Sequence, residues 1–354
     1  MEEIKLSIAI PTYGSPIAVR SNVKRILSCE RNDIEVVVVD NDETGEQLKG
    51  IVEEVADTRF YYFRNKKNIG RSNNIVKAIE VSKADFVLLL SSDDELYMDA
   101  VEEILETIDR HPDCGIILGT IRDSWGKTGF DVKKSGIYSR GYSALMSLPF
   151  LGNLMPMVVN KKYIDLSKCY NQKEYYMQMR LALLAVINGD LIYLNHILGY
   201  MWANEDIAIK EEEGIGVNEC LNNNNFSNQT WDTAVDDFCY YTYQARVIQL
   251  KQYLEIIETC NMRLNQKTNV IEYWVSKMLA NALNSVVACR SPIIIKHHGF
   301  VGVHTYEEVL KYFEDEMKKF FAKREAEKSF YFIGHLRDML KNERILLQQA
   351  EQIW

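Results

Sequence analysis

No stretch of this 354-residue chain reaches the roughly 18 consecutive apolar residues that a membrane-spanning helix needs. Its opening, MEEIKLSIAIPTYG, has neither the basic start nor the long apolar core of a secretory leader. The expectation is a protein that is neither exported nor membrane-spanning. A basic excess is missing too: 41 Lys and Arg face 50 Asp and Glu, a formal net charge of -9. Nonspecific nucleic-acid binders normally carry a clustered basic surplus, so no nucleic-acid partner is expected. An anionic substrate would need local help, from a metal or from individual Arg and Lys residues. The seven cysteines are odd in number and never in a C-x-x-C spacing, which suits reduced thiols in cytoplasm.

What is present is an ordinary globular composition, 47% hydrophobic and 26% charged, on a chain long enough for one catalytic domain and an appendage. Apolar segments at 6–10, 34–39, 60–63 and 86–90, with a fifth at 115–118, have the length of strands. Between them, residues 17–27, 47–55, 75–81 and 100–108 carry apolar positions at helical spacing. Strand alternating with helix implies right-handed crossovers and a mainly parallel sheet. After about residue 120 the rhythm breaks. Residues 122–160 read as loops or short antiparallel strands, 174–187 as helix and 191–202 as strand, and a polar segment follows over 211–229. From about 232 onward the pattern is helical. The expected division is a catalytic domain over 1–215, a polar linker over 216–231 and an α-helical region over 232–354. That region carries nine Lys or Arg against ten Asp or Glu in 306–354, so it is no polybasic anchor; it is expected to pack on the catalytic domain or on a second subunit, or to bind the acceptor.

The segment ADFVLLLSSDDEL, residues 84–96, drives an apolar strand into two adjacent carboxylates, Asp93 and Asp94. Ligands of open α/β sheets bind outside the carboxyl ends of the strands. Hard oxygen ligands there suit Mg²⁺ or Mn²⁺, which could in turn hold a diphosphate; the structural alternative is an acidic first turn on the following helix. Every early strand ends in polar residues. The first runs into Pro11-Thr12-Tyr13-Gly14, the second into Asp40-Asn41-Asp42, the third into Arg64-Asn65 with Asn68-Ile69-Gly70-Arg71 beyond, and the fourth into Asp93-Asp94. Together they describe a nucleotide crevice.

On these residues the chain resembles the family 2 glycosyltransferases, which have a GT-A fold. SIAIPTYG (7–14) is similar to their first strand and turn, VVVVDND (36–42) to the second strand and its acidic exit, NIGRSNN (68–74) to their asparagine and glycine segment, and LLSSDDEL (89–96) to their metal-binding D-x-D region. The resemblance is strong over residues 4–120, weaker to about 205 and absent afterward. It implies an α/β, GT-A nucleotide-sugar-binding fold with a mainly parallel central sheet. The activity implied is inverting transfer of a sugar from a nucleotide diphosphate donor, usually a UDP-sugar, to an acceptor hydroxyl.

By the same resemblance Pro11, Thr12 and Tyr13 line the nucleotide pocket, Asp40 accepts a hydrogen bond from the base, and Asn68, Gly70 and Arg71 lie along the donor, with Arg71 near ribose or diphosphate. Ser92 and Asp93 meet the donor, and Asp93 and Asp94 hold Mn²⁺ or Mg²⁺. One departure stands out: the family's first D-x-D acid is Ser91 here. Mg²⁺ commonly keeps several waters, so few protein ligands suffice. KEYYMQMRLAL (173–183) resembles the segment that supplies the family's base, and on that register Glu174 is the catalytic base, with Lys173 in place of the pair's first acid. His196 reads as a structural histidine and Gly152-Asn153 as an acceptor-side wall.

The expected partners are therefore a nucleotide-sugar donor and a glycan or lipid-linked acceptor in cell-surface polysaccharide synthesis, in the cytoplasm, with peripheral contact at the inner membrane face. Two other readings stay open. A sugar nucleotidyltransferase would favour a Gly-rich, basic first loop, whereas Thr12-Tyr13-Gly14-Ser15-Pro16 offers one Gly and no Lys. A noncatalytic sugar-nucleotide or assembly module is compatible with Ser91 and with the long helical tail.

Overall fold

A computed structural model of the chain describes residues 3–122, 135–152, 154–155, 157–170, 176–201, 243–288 and 305–322. It divides into two compact units, Met1–Ala234 and Val235–Trp354.

The first unit is built on a nine-stranded sheet: β1 (Leu6–Thr12), β2 (Ile34–Asp40), β3 (Phe60–Arg64), β4 (Phe86–Leu89), β5 (Glu95–Leu96), β6 (Cys114–Arg122), β7 (Gly136–Tyr138), β8 (Met157–Asn160) and β9 (Asp190–Tyr200). Spatial order is β3-β2-β1-β4-β8-β6-β9-β5, with β7 also on β9. Strands β3, β2, β1 and β4 are parallel, as the alternation of strand and helix predicts. Then β8 enters antiparallel between β4 and β6, which leaves β6 and β9 running in the direction of β4.

The helices of this unit are α1 (Pro16–Leu27), α2 (Ile51–Val55), α3 (Arg71–Val81), α4 (Met98–Arg110), α5 (Tyr142–Ser147) and α6 (Met177–Asn188). All seven residues of β2, IEVVVVD, are buried, the pattern of a strand covered on both faces. Alternate residues separate the two faces. Ile8, Ile10, Val36 and Val38 form one core with Val19, Val23 and Ile26 of α1 and Val101, Ile104 and Leu105 of α4. Ala9, Val37, Val39 and Val87 are equally buried outside that core, and α3 packs on β1 and β2 while α6 packs on β6 and β8. Each fully buried Val, Leu or Ile contributes about 1.5–3 kcal/mol, so burial on both sides holds the sheet between its helical layers.

Two elements depart from the sequence reading. The expected helix over 47–55 is reduced to Ile51–Val55, because Gly50 sits at φ 77, a left-handed conformation that starts the helix late. Within 122–160, expected as loops and short strands, α5 is a helix; its six residues are too few to display a helical period.

The described part of the second unit is helical: α7 (Tyr243–Thr259), α8 (Leu264–Ala288) and α9 (Tyr306–Ala322). Trp274, Tyr253 and Phe313 are fully buried, and the Tyr253 and Trp274 rings meet edge to face at 6.1 Å. Thr305 and Glu308 cap α9 reciprocally, with Thr305 N–H donating to Glu308 Oε2 at 2.7 Å and Glu308 N–H to Thr305 Oγ1 at 3.2 Å. Lys251 of α7 pairs with Glu316 of α9. The aromatic residues Phe330, Tyr331, Phe332 and Trp354 lie outside the described residues. Among the described residues no helix is long and apolar enough to cross a membrane, and Cys29, Cys114, Cys169 and Cys260 are free thiols.

Candidate active site

The parallel register sets the carboxyl ends of β3, β2, β1 and β4 along one edge. Thr12 pairs with Asp40 and Asp40 with Arg64, so three strands end in one row. On the other side of β1, Ala9 pairs with Leu89, and Leu90 N–H donates to Ala9 O at 2.9 Å just before the chain turns into Ser91–Asp94. Pro11, Thr12, Asp40, Asn68, Gly70, Arg71, Ser92, Asp93 and Asp94 therefore share this edge.

The turn after β1 is made by two residues with positive φ, Gly14 at 88 and Ser15 at 57. Ser15 is a non-glycine residue in the left-handed region, a conformation that costs of order 1–3 kcal/mol and persists where the surroundings enforce it. Thr12 Oγ1 donates to Gly14 O at 2.7 Å, which fastens the turn and leaves Tyr13 41% exposed at the edge.

Asp40 is only 1% exposed. Its Oδ1 accepts from the Asp42 N–H at 2.9 Å and its Oδ2 from the Tyr62 hydroxyl at 2.8 Å. Burial pushes the carboxyl above its usual range, and the two hydrogen bonds offset part of that shift. Burial and the bond to Asp40 push the Tyr62 phenol up as well. Asp40 does not cap the helix that follows: the cap position of α2 is Gly50.

An asparagine network that the sequence reading did not single out fixes the next segment. Asn41 Nδ2 donates to Asn68 Oδ1 at 2.6 Å, and Asn41 Oδ1 accepts from Asn65 Nδ2 at 3.1 Å and from the Ile69 N–H at 2.9 Å. Asn74 Nδ2 donates to the carbonyls of Thr12 at 3.2 Å and Val39 at 3.0 Å, and its Oδ1 accepts from Asn65 at 2.8 Å. Asn68 Oδ1 also accepts from the Gly70 N–H at 2.8 Å, and Gly70, at φ 80, turns the chain into α3 with Arg71 exposed at its first position. The signal lay in the composition of NKKNIGRSNN, where short amides recur at spacings suited to loop bonding.

At β4 the Ser91 hydroxyl donates to Asp93 Oδ1. Ser91 thus contacts the carboxylate it would have repelled as an acid. Asp93 is half-buried, and its Oδ2 has no hydrogen bond among the described residues. Asp94 is 3% exposed, and its main-chain carbonyl accepts from Asn22 Nδ2 at 2.9 Å. Arg25 ties Asn22, the Glu95 carboxylate and the Leu96 carbonyl into the same loop. Among the described residues no group of three or more His, Cys, Asp and Glu gathers as a metal site. A hard carboxylate oxygen left open on Asp93 fits a divalent cation that takes most of its ligands from a diphosphate and water. Glu174 and Asn153 lie outside the described residues. His196 on β9 approaches Asp99, with Nε2 3.5 Å from Oδ2, and among the described residues makes no hydrogen bond to the Asp93 loop.

Residues 7–160 match the family described as Glycosyl transferase family 2. Through this segment the chain is similar to the family 2 glycosyl transferases. A Campylobacter jejuni GalNAc(5)-diNAcBac-PP-undecaprenol beta-1,3-glucosyltransferase is 28% identical over 105 residues, 29% of this chain and 34% of that protein. An uncharacterized Haemophilus influenzae glycosyltransferase is 25% identical over 159 residues, 44% of this chain and 53% of its own length. The chain thus spans about a third to a half of these relatives. The crystal structure of S. aureus TarS 1-349 in complex with UDP superposes with a TM-score of 0.63 at 13% identity, covering 99% of this chain and 92% of that one. The complex of the same protein with UDP-GlcNAc gives 0.62 at 14% identity, covering 98% and 92%. The fold is GT-A: α/β, with a mostly parallel central sheet and C-terminal helices.

Proposed function

We propose that the chain is an inverting, metal-dependent glycosyltransferase. It moves a sugar from a UDP-sugar to a hydroxyl of a glycan or lipid-linked acceptor in cell-surface polysaccharide synthesis. The observation that carries this reading is the meeting of Thr12, Asp40, the Asn68–Arg71 turn and Asp93 at one sheet edge in a family 2 segment. Neighbours of the same fold were solved with UDP and UDP-GlcNAc, which supports a uridine donor. A cytoplasmic position at the inner membrane face belongs to the same proposal.

In this mechanism Pro11, Thr12 and Tyr13 seat the base and Asp40 accepts its N–H. Asp40 is prepared for the task, since each oxygen already takes one donor from the protein and keeps a second lone pair. Gly70 and Arg71 follow the ribose and diphosphate. Asp93, joined by Asp94, would hold Mn²⁺ or Mg²⁺, which supplies charge neutralisation at the leaving diphosphate when bound. Glu174, assigned through the family resemblance of 173–183, takes the proton of the acceptor hydroxyl as it attacks the opposite face of the sugar, so the anomeric configuration inverts.

The test is donor turnover with Mn²⁺ and with EDTA, followed by NMR of the product anomer. Turnover should need the cation, fall at least a hundredfold in Asp93→Ala and Glu174→Gln, and give the inverted anomer. A retained anomer, or Asp93→Ala with unchanged Mn²⁺ stimulation, would overturn it. UDP binding with no turnover on any acceptor would instead favour the noncatalytic module that Ser91 keeps in view.

A further inference from the structure

The charges of this acidic chain are unevenly placed. Residues 58–79 contain Arg59, Arg64, Lys66, Lys67, Arg71 and Lys77 and no Asp or Glu, in a protein whose net charge is -9. Arg59 is spent on Asp57 and Lys77 on Glu80. Lys66 and Lys67 are exposed in the turn beyond β3 and form no ion pair among the described residues. Arg64, also exposed, donates to the Thr44 carbonyl at 3.1 Å. The acids on this side are few: Glu43 accepts from the Asn68 N–H at 3.3 Å, Asp42 is turned onto Thr44, and Glu46 pairs with Lys49. Phe63, which precedes Arg64 and leaves the opposite face of this edge strand, is 38% exposed, and Ile17, in the first turn of α1 at the same end of the sheet, is 47% exposed.

A soluble phosphate does not account for this lip. The carboxylate open to a cation is at the end of β4, and β3 is three strand spacings away, about 14 Å across the sheet. Nor does a soluble anion use an exposed phenylalanine. Cations and an exposed aromatic at one end of the sheet, on a chain otherwise repelled by negative surfaces, match the interface of an anionic bilayer.

We infer that Phe63, Arg64, Lys66 and Lys67 dock the donor edge of the sheet on an anionic lipid surface. Docking would bring the active-site edge to a membrane-borne acceptor; that consequence rests on the function proposed above, whereas the docking itself does not. Association is electrostatic in its reach, so it weakens as salt shortens the screening length from about 10 Å at 0.1 M toward 3 Å at 1 M.

The experiment is cosedimentation of the full chain with vesicles of phosphatidylglycerol and phosphatidylcholine, and with phosphatidylcholine alone, at 0.1 and 0.5 M salt. Donor hydrolysis is measured separately without vesicles. Expected is binding to the anionic vesicles only, lost at 0.5 M salt. Each lysine near such a surface is worth about fivefold in partition, so Lys66→Gln with Lys67→Gln should weaken binding about 25-fold. Hydrolysis without vesicles should stay at the wild-type rate. The charge-preserving pair Lys66→Arg and Lys67→Arg should bind as wild type. Equal binding to neutral vesicles, binding indifferent to the glutamine pair, or capture of soluble polyphosphate without capture of vesicles would overturn the inference. If hydrolysis fails while vesicle binding behaves as expected, the docking stands and the enzyme reading falls.

Discussion

Replacing Asp40 by Asn separates what a buried carboxylate costs the fold from what it does for the donor. The side chain is 1% exposed and accepts one backbone and one phenol hydrogen bond. Its pKa is raised, chiefly by burial, so the neutral form is the one the fold favours. The linkage follows in sign: a folded pKa above the unfolded value adds stability that is complete at acid pH and is lost as pH rises through the folded pKa. At neutral pH the charged carboxylate is a burden. Asparagine keeps the shape, its Oδ1 accepting from Asp42 and its Nδ2 donating to the Tyr62 oxygen. Asp40→Asn should therefore melt no lower than wild type at pH 7, with the difference shrinking as pH falls toward the carboxylate range. UDP should bind more weakly, because a hydrogen bond to a charged acceptor is worth about 1.5–3 kcal/mol, about 10- to 150-fold in Kd. Thermal unfolding from pH 4 to 8 and calorimetric UDP titration measure both. A variant several degrees less stable at pH 7, or one with unchanged UDP affinity, would contradict this role for the buried Asp40 carboxylate.

Tyr62→Phe should behave oppositely in stability, losing about 1.5–3 kcal/mol at pH 7 in denaturant titration because Asp40 Oδ2 then has no donor. Asn41→Ala strips partners from the Ile69 N–H and from Asn65 and Asn68 together, and should cost about 2–4 kcal/mol with a parallel loss of UDP binding. Ser91→Asp places a carboxylate where a hydroxyl now donates to Asp93; repulsion between the two acids should make the cation bind more tightly, read as a lower Mn²⁺ half-saturation. Gly199→Ala would put a Cβ 2.0 Å from the Glu95 carbonyl, forcing β5 off β9 at a cost of about 1–3 kcal/mol, whereas Gly152→Ala meets no atom within 4 Å and should change stability by no more than about 0.5 kcal/mol.

The strands that build the donor edge were legible because each is a continuous apolar run ending in polar residues. β1 to β4 and β6 each appear where such a run occurs, and β2, with four consecutive valines, is buried along its whole length. The insertion of β8 between β4 and β6 was not legible. A short antiparallel strand was expected within 122–160, but nothing in its four residues, MVVN, marks which strands it joins; only the pairing of Leu89 with Met157 and of Ile116 with Val159 places it between β4 and β6. At the site, the sequence reading gave Asp40 and Asn68 roles at the donor but gave Asn41, named only as part of the polar end of the second strand, none, because a single asparagine looks alike whether it is solvated in a turn or bonded to three neighbours. Asp93 was visible as an acid past a strand, yet its partner Ser91 read as the loss of a ligand; the structure turns it into a hydrogen-bond donor.

By itself the sequence determined that the runs forming β1 to β4 are strands and which polar residues stand at their ends, since periodicity and burial preference are local properties of a chain. The order of the strands, the crowding of Asn41, Asn65, Asn68 and Asn74 into one network, and the raised pKa of Asp40 were decided by tertiary structure. Those depend on residues about 10 to 60 positions apart meeting in a water-poor interior, where hydrogen bonding and desolvation act on groups that no local pattern links.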